Sequence, residues 1–252
     1  MNMSNMGSLS TRQQLLAEPR AETADASWNW LYRIAAAAAL ISALFIPIQV
    51  IVFTIWPPPL EGTAIDWFRL FQSNRLIGLI DLDLLLVADN VLLVSILFAL
   101  YVALRRASES IMAIATGLGI VSIVLFIASN PAVEMLSLSD HYAAATTDAQ
   151  RATFLAAGQA MLAGWQGTAF HVGYIVSSVA AIAIAAVMLR SAIFSKTTAY
   201  LGILANAIGL GLYLPAIGVF LAVFSVVFLE IWYIVIARRL FQLGQGASKE
   251  QK

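Results

Sequence analysis

Residues 76–104 read LIGLIDLDLLLVADNVLLVSILFALYVAL, an apolar run that carries three aspartates and one asparagine. A helix of this length is longer than the roughly 30 Å hydrocarbon core of a bilayer, because each residue adds about 1.5 Å. Ionisable side chains inside a membrane face protein or water rather than lipid. The run therefore predicts a long membrane-spanning helix whose acidic residues point into a helical bundle.

The composition of the whole chain agrees with this reading. Hydrophobic residues make up 61% of the 252 residues and charged residues 11%, against about 25% charged in soluble domains, and the mean hydropathy is +0.86. So few charges cannot cover a soluble surface. The net charge of zero argues against a nucleic-acid partner. The absence of cysteine excludes disulfides, thiolate metal sites and cysteine nucleophiles.

Six stretches meet or approach the roughly 20 apolar residues that a spanning helix needs. The predicted spans are residues 30–55, 76–104, 111–129, 168–189, 199–214 and 217–240. The last two are separated by Leu214, Pro215 and Ala216, which favours a tight helical hairpin over one kinked helix. We therefore predict an all-α, six-span membrane domain at 29–242. A polar cytoplasmic tail without signal-peptide features is predicted at 1–28, and a second tail at 243–252.

The distribution of basic residues predicts the orientation of this bundle. With six spans, eleven of the fourteen basic residues lie on the side of the amino terminus. The other three, Arg69, Arg75 and Arg151, lie on the opposite side. Since basic residues accumulate in cytoplasmic loops, both termini are predicted to be cytoplasmic.

The first extracytoplasmic loop carries the pattern of a short helix. Thr63 and Asp66 have the spacing of a capping box, with aspartate in place of the usual glutamate. Trp67, Phe68 and Phe71 follow as an aromatic stripe. Such a stripe predicts an anchor at the level of the lipid headgroups.

The second extracytoplasmic loop, between the third and fourth spans, predicts an amphipathic helix. Asn130 and Pro131 resemble the start of one helix, and Thr147 and Gln150 form a capping box at the start of the next. The apolar stripe of that second helix consists of Phe154, Leu155, Gly158, Met161, Leu162 and Trp165. We expect it to lie over the extracytoplasmic mouth of the bundle.

The candidate functional residues centre on the second span. On a continuous helix, Arg75, Asp83, Asp89 and Asn90 share an arc of about 120°, and Asp81 lies about 80° beyond it. The fourth span adds His171, at a similar depth to the first two aspartates, and Tyr174 one turn deeper. Neutral or acidic partners from later spans are Asn206 and Glu230, the latter close to Trp232 and Tyr233. The residues of the second and fourth spans, without Asn206 and Glu230, predict a pocket for a small polar solute or cation that is open to the extracytoplasmic side. They are Arg75, Asp81, Asp83, Asp89, Asn90, His171 and Tyr174.

Two alternatives remain open at this stage. In the first, the polar groups pair with one another and the chain is a structural or regulatory membrane subunit without a ligand. In the second, His171, His141 and Glu134 join the aspartates in the metal site of a membrane-embedded hydrolase. A non-enzymatic role is favoured, because the sequence contains no catalytic or nucleotide-binding motif. The expected partner is the lipid bilayer, no cofactor is expected, and no oligomeric state is assigned.

Four short segments carry a resemblance to a known family. They are RLIGLIDLD at 75–83, Asn130-Pro131-Ala132, GTAF at 167–170 and VMLRS at 187–191. On these segments the chain resembles an uncharacterised family of bacterial multi-pass membrane proteins, over most of residues 30–242. The resemblance implies a location in the bacterial cytoplasmic membrane. It implies no activity, cofactor or catalytic residue.

Overall fold

The structure, a computed structural model, describes residues 26–250 and the side chains of residues 27–246. This part of the chain is all helical and has no β-strand, which confirms the predicted class. Its α-helices are α1 (Asn29–Ile55), α2 (Ala64–Ser73), α3 (Arg75–Asp81), α4 (Leu84–Leu104), α5 (Glu109–Ser129), α6 (Ala132–Ala144), α7 (Asp148–Trp165), α8 (Thr168–Met188), α9 (Lys196–Gly209) and α10 (Gly218–Glu250).

Within residues 26–250, five helical segments are long and apolar enough to cross a membrane. They are Asn29–Ile55, Leu84–Leu104, Glu109–Ala144, Asp148–Met188 and Gly218–Gly246. Helix α9, the predicted fifth span, has only 14 residues and is not among them. A single 3₁₀ turn, Leu210–Tyr213, extends it toward the following loop.

Six helices form a closed ring in the order α1, α4, α5, α8, α9 and α10, and α10 packs against α1. Neighbours in this ring run antiparallel, because residue numbers rise on one helix as they fall on the next. Two contacts at each of five interfaces show this. They are Ser42–Asp89 and Gln49–Asp83 for α1 and α4; Leu97–Gly119 and Leu82–Asn130 for α4 and α5; Ser122–Gly173 and Phe126–Phe170 for α5 and α8; Tyr174–Gly209 and His171–Tyr213 for α8 and α9; and Gly202–Trp232 and Gly211–Leu221 for α9 and α10.

The predicted hairpin between the last two helices is confirmed. Helix α9 ends at Gly209, and the chain reverses through residues 214–217 before α10 begins. Ala216 has a left-handed backbone, with φ of 66°. Because Pro215 precedes it and cannot continue a helix, the two helices pack side by side instead of forming one kinked rod.

The prediction of one continuous helix over residues 76–104 is wrong. The chain breaks between α3 and α4, where Asp83 adopts a left-handed conformation with φ of 63°. Asn130 Nδ2 donates a hydrogen bond of 2.7 Å to the Leu82 carbonyl oxygen exposed by the break. The predicted 120° arc assumed an unbroken helix, so it does not describe how Arg75 and Asp81 lie relative to Asp89.

Helices α2, α3, α6 and α7 form a cap over the end of the ring where α4 begins. Trp67, Phe68 and Phe71 are at most 1% exposed and pack with Met135 and Trp165 in a second apolar core inside this cap. The prediction that the aromatic stripe anchors at lipid headgroups is therefore wrong. Helices α6 and α7 cover it instead.

Helix α7 forms where the amphipathic helix is predicted, and Phe154, Leu155 and Leu162 of its apolar stripe pack against the core of the cap. Its capping box forms as expected, with Thr147 Oγ1 accepting from Gln150 N–H and Gln150 Oε1 accepting from Thr147 N–H, each at 3.3 Å. Gly158 lies against Phe68 of α2, where a Cβ atom would come within 2.8 Å of the ring. Helix α7 thus packs over α2 and covers the aromatic core of the cap.

The predicted tails are described only in part. Residues 1–25 and 251–252 lie outside the described residues, and 26–28 form a 3₁₀ turn before α1. Helix α10 continues to Glu250, so residues 243–250 of the predicted second tail extend that helix.

Candidate functional site

Arg75 lies away from the aspartates of its own segment. Its guanidinium donates to Oδ1 of Asp140 in α6 at 2.8 Å, and both side chains are exposed. Such a surface ion pair contributes at most about 1 kcal/mol. Arg75 therefore ties α3 to α6 within the cap and does not balance the charge of Asp81 or Asp83.

Asp83 joins three parts of the fold at the break before α4. Its Oδ1 accepts a hydrogen bond from Gln49 Nε2 of α1 at 2.8 Å, and its Oδ2 accepts one from Trp165 Nε1 of α7 at 3.2 Å. Burial raises the pKa of the Asp83 carboxyl, whereas these two hydrogen bonds lower it. The geometry is that of a structural joint, because both oxygens are already occupied by protein donors.

Asp81 is the most completely buried acid in the described part of the chain. Its side chain is 0% exposed, and neither carboxylate oxygen has a hydrogen-bond partner among the described residues. Burial, followed by the nearby charge of Asp83, raises the pKa of this carboxyl from 3.8 to about 6. Asp81 therefore favours the protonated form in mildly acidic solution.

The raised pKa of Asp81 makes stability depend on pH. The folded protein holds this proton more tightly than the unfolded chain does. The stabilisation that results is therefore complete below about pH 4. It is lost as the pH rises toward about 6. Asp81→Asn should remove this decline and raise the free energy of unfolding at pH 7 by about 2 kcal/mol, after subtracting about 1 kcal/mol for an unpaired amide.

Denaturant unfolding in detergent at pH 4, 5, 6 and 7, followed by circular dichroism, measures this difference. Glu61→Gln, at an exposed acid, is the control and should leave the pH profile unchanged. Equal profiles for wild type and Asp81→Asn would show that Asp81 has an ordinary pKa.

The main internal cavity of the ring lies below the cap, between α4, α8, α9 and α10; we call it the chamber. It has a volume of about 160 Å³. Its polar lining consists of Asp89, Asn90, Tyr174, Ser177, Ser178, Asn206, Ser225 and Tyr233. Asp89 is five residues from the start of α4 and Tyr174 six from the start of α8, so the chamber lies about 8 Å below the capped ends of these helices.

A second cavity of about 90 Å³ shares Leu93, Ser177, Asn206, Leu229 and Tyr233 with the chamber. Its remaining lining is mainly apolar and extends toward the uncapped end of the ring. Trp232 lines it, and the indole N–H of this residue is buried without a hydrogen-bond partner among the described residues. The polar surface of the ring interior is therefore concentrated in the chamber.

Two acids that are far apart in the sequence interact electrostatically near the chamber, and one of them, Asp89, lines it. Asp89 of α4 and Glu230 of α10 lie close enough for their carboxylates to interact electrostatically, and Tyr233 lies near both. The hydroxyl of Ser42, on α1, lies next to Asp89. One oxygen of each acid, Asp89 Oδ1 and Glu230 Oε1, is buried and accepts no hydrogen bond from the described residues. We call these two residues the acid pair.

His171 and Tyr174 occupy an aromatic cluster at the capped end of α8. His171 Nδ1 lies 3.2 Å from the Tyr213 hydroxyl, and the rings of Phe170 and Tyr213 pack against it. Tyr174 donates a hydrogen bond of 3.0 Å to the Gly209 carbonyl oxygen. Only Tyr174 of this cluster lines the chamber, and the contacts described for His171 include no acid.

The metal site of the hydrolase alternative does not assemble. Among the residues that the structure describes, no group of three or more His, Asp or Glu side chains is placed to hold a metal ion. His141 stacks on Phe154, with ring centroids 5.5 Å apart, and Glu134 is exposed on α6. His171 lies in the aromatic cluster instead.

The structure therefore divides the predicted site residues into three groups. Asp89, Asn90 and Tyr174 meet at the chamber; Arg75, Asp81 and Asp83 belong to the joint between ring and cap; and His171 belongs to the aromatic cluster. Sequence reasoning did not identify Ser42 and Ser225 as neighbours of the site. A lone serine in an apolar helix gives no signal, because it can bond to its own helix, as Ser225 does to the Ala222 carbonyl oxygen.

No family model, curated protein or solved structure matches this chain. The resemblance to an uncharacterised bacterial membrane family stays a prediction, and the function must be argued from the site itself.

Proposed function

We propose that the chain is a six-span protein of a bacterial cytoplasmic membrane, with both termini in the cytoplasm and the cap outside. The antiparallel ring supports this, because the short helix α9 completes one ring with the five longer helices. The charges support it too: Arg69, Arg75 and Arg151 are in the cap helices, whereas Arg33, Arg105, Arg190 and Arg238 lie near the opposite end. The cap would then include the amphipathic α7 on the extracytoplasmic side.

We further propose that the protein binds a small monovalent cation in the chamber, from the extracytoplasmic side. The observation that carries this is the acid pair, two electrostatically interacting carboxylates, of which Asp89 lines the chamber, that each keep a buried oxygen without a partner among the described residues. None of the side chains described as lining the chamber is basic. A buried charge without a counter-charge is costly, so the pair must take up a proton or a cation.

The chamber supplies the other ligands that such a cation needs. Carboxylate, amide and hydroxyl oxygens are hard donors, and the chamber presents them through Asp89, Asn90, Asn206 and Ser225. A volume of about 160 Å³ leaves room for a cation with several waters, since a water occupies about 30 Å³. Protons compete for the same carboxylates, so acid should weaken cation binding.

The alternative of a purely structural role fits Asp83, which lies outside the chamber. Asp83 and Asn130 hold the break between α3 and α4 through bonds to three other elements, as expected of groups that specify a fold. The acid pair differs, because one carboxylate oxygen of each acid accepts no hydrogen bond from the described residues.

A cation titration tests the proposal. Purified protein in phosphatidylcholine nanodiscs is unfolded thermally in choline chloride, with sodium or potassium chloride replacing it at constant ionic strength. We expect the smaller cations to raise the Tm, since a ligand that binds only the folded state stabilises it. Asp89→Asn should raise the concentration for half-maximal effect at least about tenfold, because a contact to a charged group is worth roughly 1.5 to 3 kcal/mol.

Asp81→Asn is the matched control, since it removes a buried acid that does not line the chamber. It should keep the wild-type cation response, whereas Glu230→Gln should reduce it. An identical Tm for the wild-type protein in all three chlorides would refute cation binding. A response lost in Asp81→Asn but kept in Asp89→Asn would place the site in the cap.

A further inference from the structure

A pocket of about 450 Å³ lies at the uncapped end of the ring; we call it the basal pocket. It lies between the segment that leads into α9 and the second half of α10. Its lining consists of Ala192, Ile193, Phe194, Ser195, Thr198, Val235, Arg238, Arg239 and Gln242. This lining includes two basic residues and no acid.

The two arginines of the basal pocket differ in how they are held. Arg239 is fixed, since its Nε donates to the Ile193 carbonyl oxygen and its Nη1 to Gln242 Oε1 at 3.1 Å. Arg238 is exposed and forms no ion pair with any acid that the structure describes. Among the side chains that the structure describes, the pocket therefore presents a positive charge without a counter-charge.

The position of Arg238 on α10 indicates where its partner lies. An exposed apolar stripe runs along this helix at intervals of three or four residues, through Phe220, Phe224, Val227, Ile231 and Ile234. Arg238 is the next residue in the same series. It follows Gly218 by 20 residues, or about 30 Å of helix, which equals the thickness of the hydrocarbon core. The stripe that faces lipid thus ends on an arginine at headgroup depth.

We propose that the basal pocket binds the headgroup phosphate of an anionic phospholipid, with Arg238 as the residue that contacts it. A guanidinium presents several donors in the plane that phosphate oxygens require. The exposed Ile234, one turn from Arg238 toward the hydrocarbon core, provides apolar surface for the attached acyl chains. The inference rests on the proposed membrane placement of α10 but not on cation binding in the chamber.

Lipid retention tests this inference. Protein is taken from nanodiscs of equal phosphatidylcholine and phosphatidylglycerol, and the lipids that remain bound after purification are measured by mass spectrometry. We expect phosphatidylglycerol to be enriched in wild type and its enrichment to fall about fivefold in Arg238→Gln, as expected for one arginine at an anionic membrane surface. Arg190→Gln removes the same charge at the same end, outside the pocket, and should retain the enrichment.

Three results would overturn the inference. The first is equal retention of both lipids by wild type, and the second is an equal fall in Arg190→Gln and Arg238→Gln, which would indicate a diffuse basic belt. The third is thermal stabilisation of lipid-free protein in detergent by millimolar inorganic phosphate as large as that by phosphatidylglycerol, which would make the ligand a soluble phosphate. A cation response that fails while lipid enrichment persists would refute the chamber proposal alone.

Discussion

Asp83→Ala is expected to lower the free energy of unfolding by about 3 kcal/mol, the largest effect of the substitutions considered. Loss of the carboxylate leaves Gln49 Nε2 and Trp165 Nε1 without their acceptor, at about 1 to 3 kcal/mol for each buried donor. Alanine also adopts the left-handed conformation at a cost of about 1 kcal/mol. The variant no longer buries a carboxylate, and this gain offsets part of the summed loss of stability.

Two further variants separate these contributions. Asp83→Gly removes the carboxylate but tolerates φ of 63°, so it should recover about 1 kcal/mol relative to alanine. Asp83→Asn keeps one side-chain carbonyl acceptor and should lie between alanine and wild type. Unfolding in detergent, followed by circular dichroism, provides the measurement. Wild-type stability in Asp83→Ala would show that these contacts do not hold the break between α3 and α4.

Gly202→Ala is expected to destabilise the hairpin of α9 and α10 by about 2 kcal/mol. A Cβ atom at this position would lie 2.6 Å from Trp232 Nε1 and 2.7 Å from Trp232 Cε2. The indole cannot retreat freely, because it is 95% buried in the main core of the ring. Overpacking of this kind costs about 1 to 3 kcal/mol, partly offset by the better helix propensity of alanine.

Gly117→Ala is the matched control, because a Cβ atom there meets no atom within 4 Å. This substitution in α5 should be neutral or stabilising by up to about 1 kcal/mol. Trp232→Phe should reduce the penalty of Gly202→Ala, since the smaller ring removes the atoms that clash. Additive effects in the double variant, measured by the same unfolding experiment, would mean that the two residues are not in contact.

The parts of the fold that the sequence predicts are those with local signals. Long apolar runs mark α1, α4, α5, α8 and α10, because each run has the length and composition that a membrane-spanning helix needs. The capping box at Thr147 and Gln150 marks the start of α7, and Pro215 marks the hairpin. Each of these features depends on residues close together in the chain, which a single sequence displays directly.

The parts that the sequence does not predict depend on distant residues. The break at Asp83 is hidden because leucines flank it on both sides, and the groups that satisfy it come from Gln49, Asn130 and Trp165. The burial of Trp67 requires helices that begin more than 60 residues later. A solitary aromatic stripe looks the same whether lipid or protein covers it.

The candidate site shows the same division. Helical spacing correctly places Asp89 and Asn90 toward the bundle interior, and Tyr174 joins them at the chamber. The pairing of Asp89 with Glu230 depends on ring closure between the first and last helices, which periodicity within one helix cannot reveal. A continuous helix would place Arg75, Asp81 and Asp83 near Asp89 and Asn90. The break between α3 and α4 separates the two groups.

Closure of the ring by α10 also has a consequence for how the protein is made. Glu230 emerges from the ribosome about 140 residues after Asp89, which at 5 to 20 residues per second is a delay of roughly 7 to 30 seconds. During that interval α1, α5, α8 and α9 can already pack around Asp89, whereas Glu230 has not yet been made. The acid pair is therefore complete only after the last helix of the ring has been synthesised.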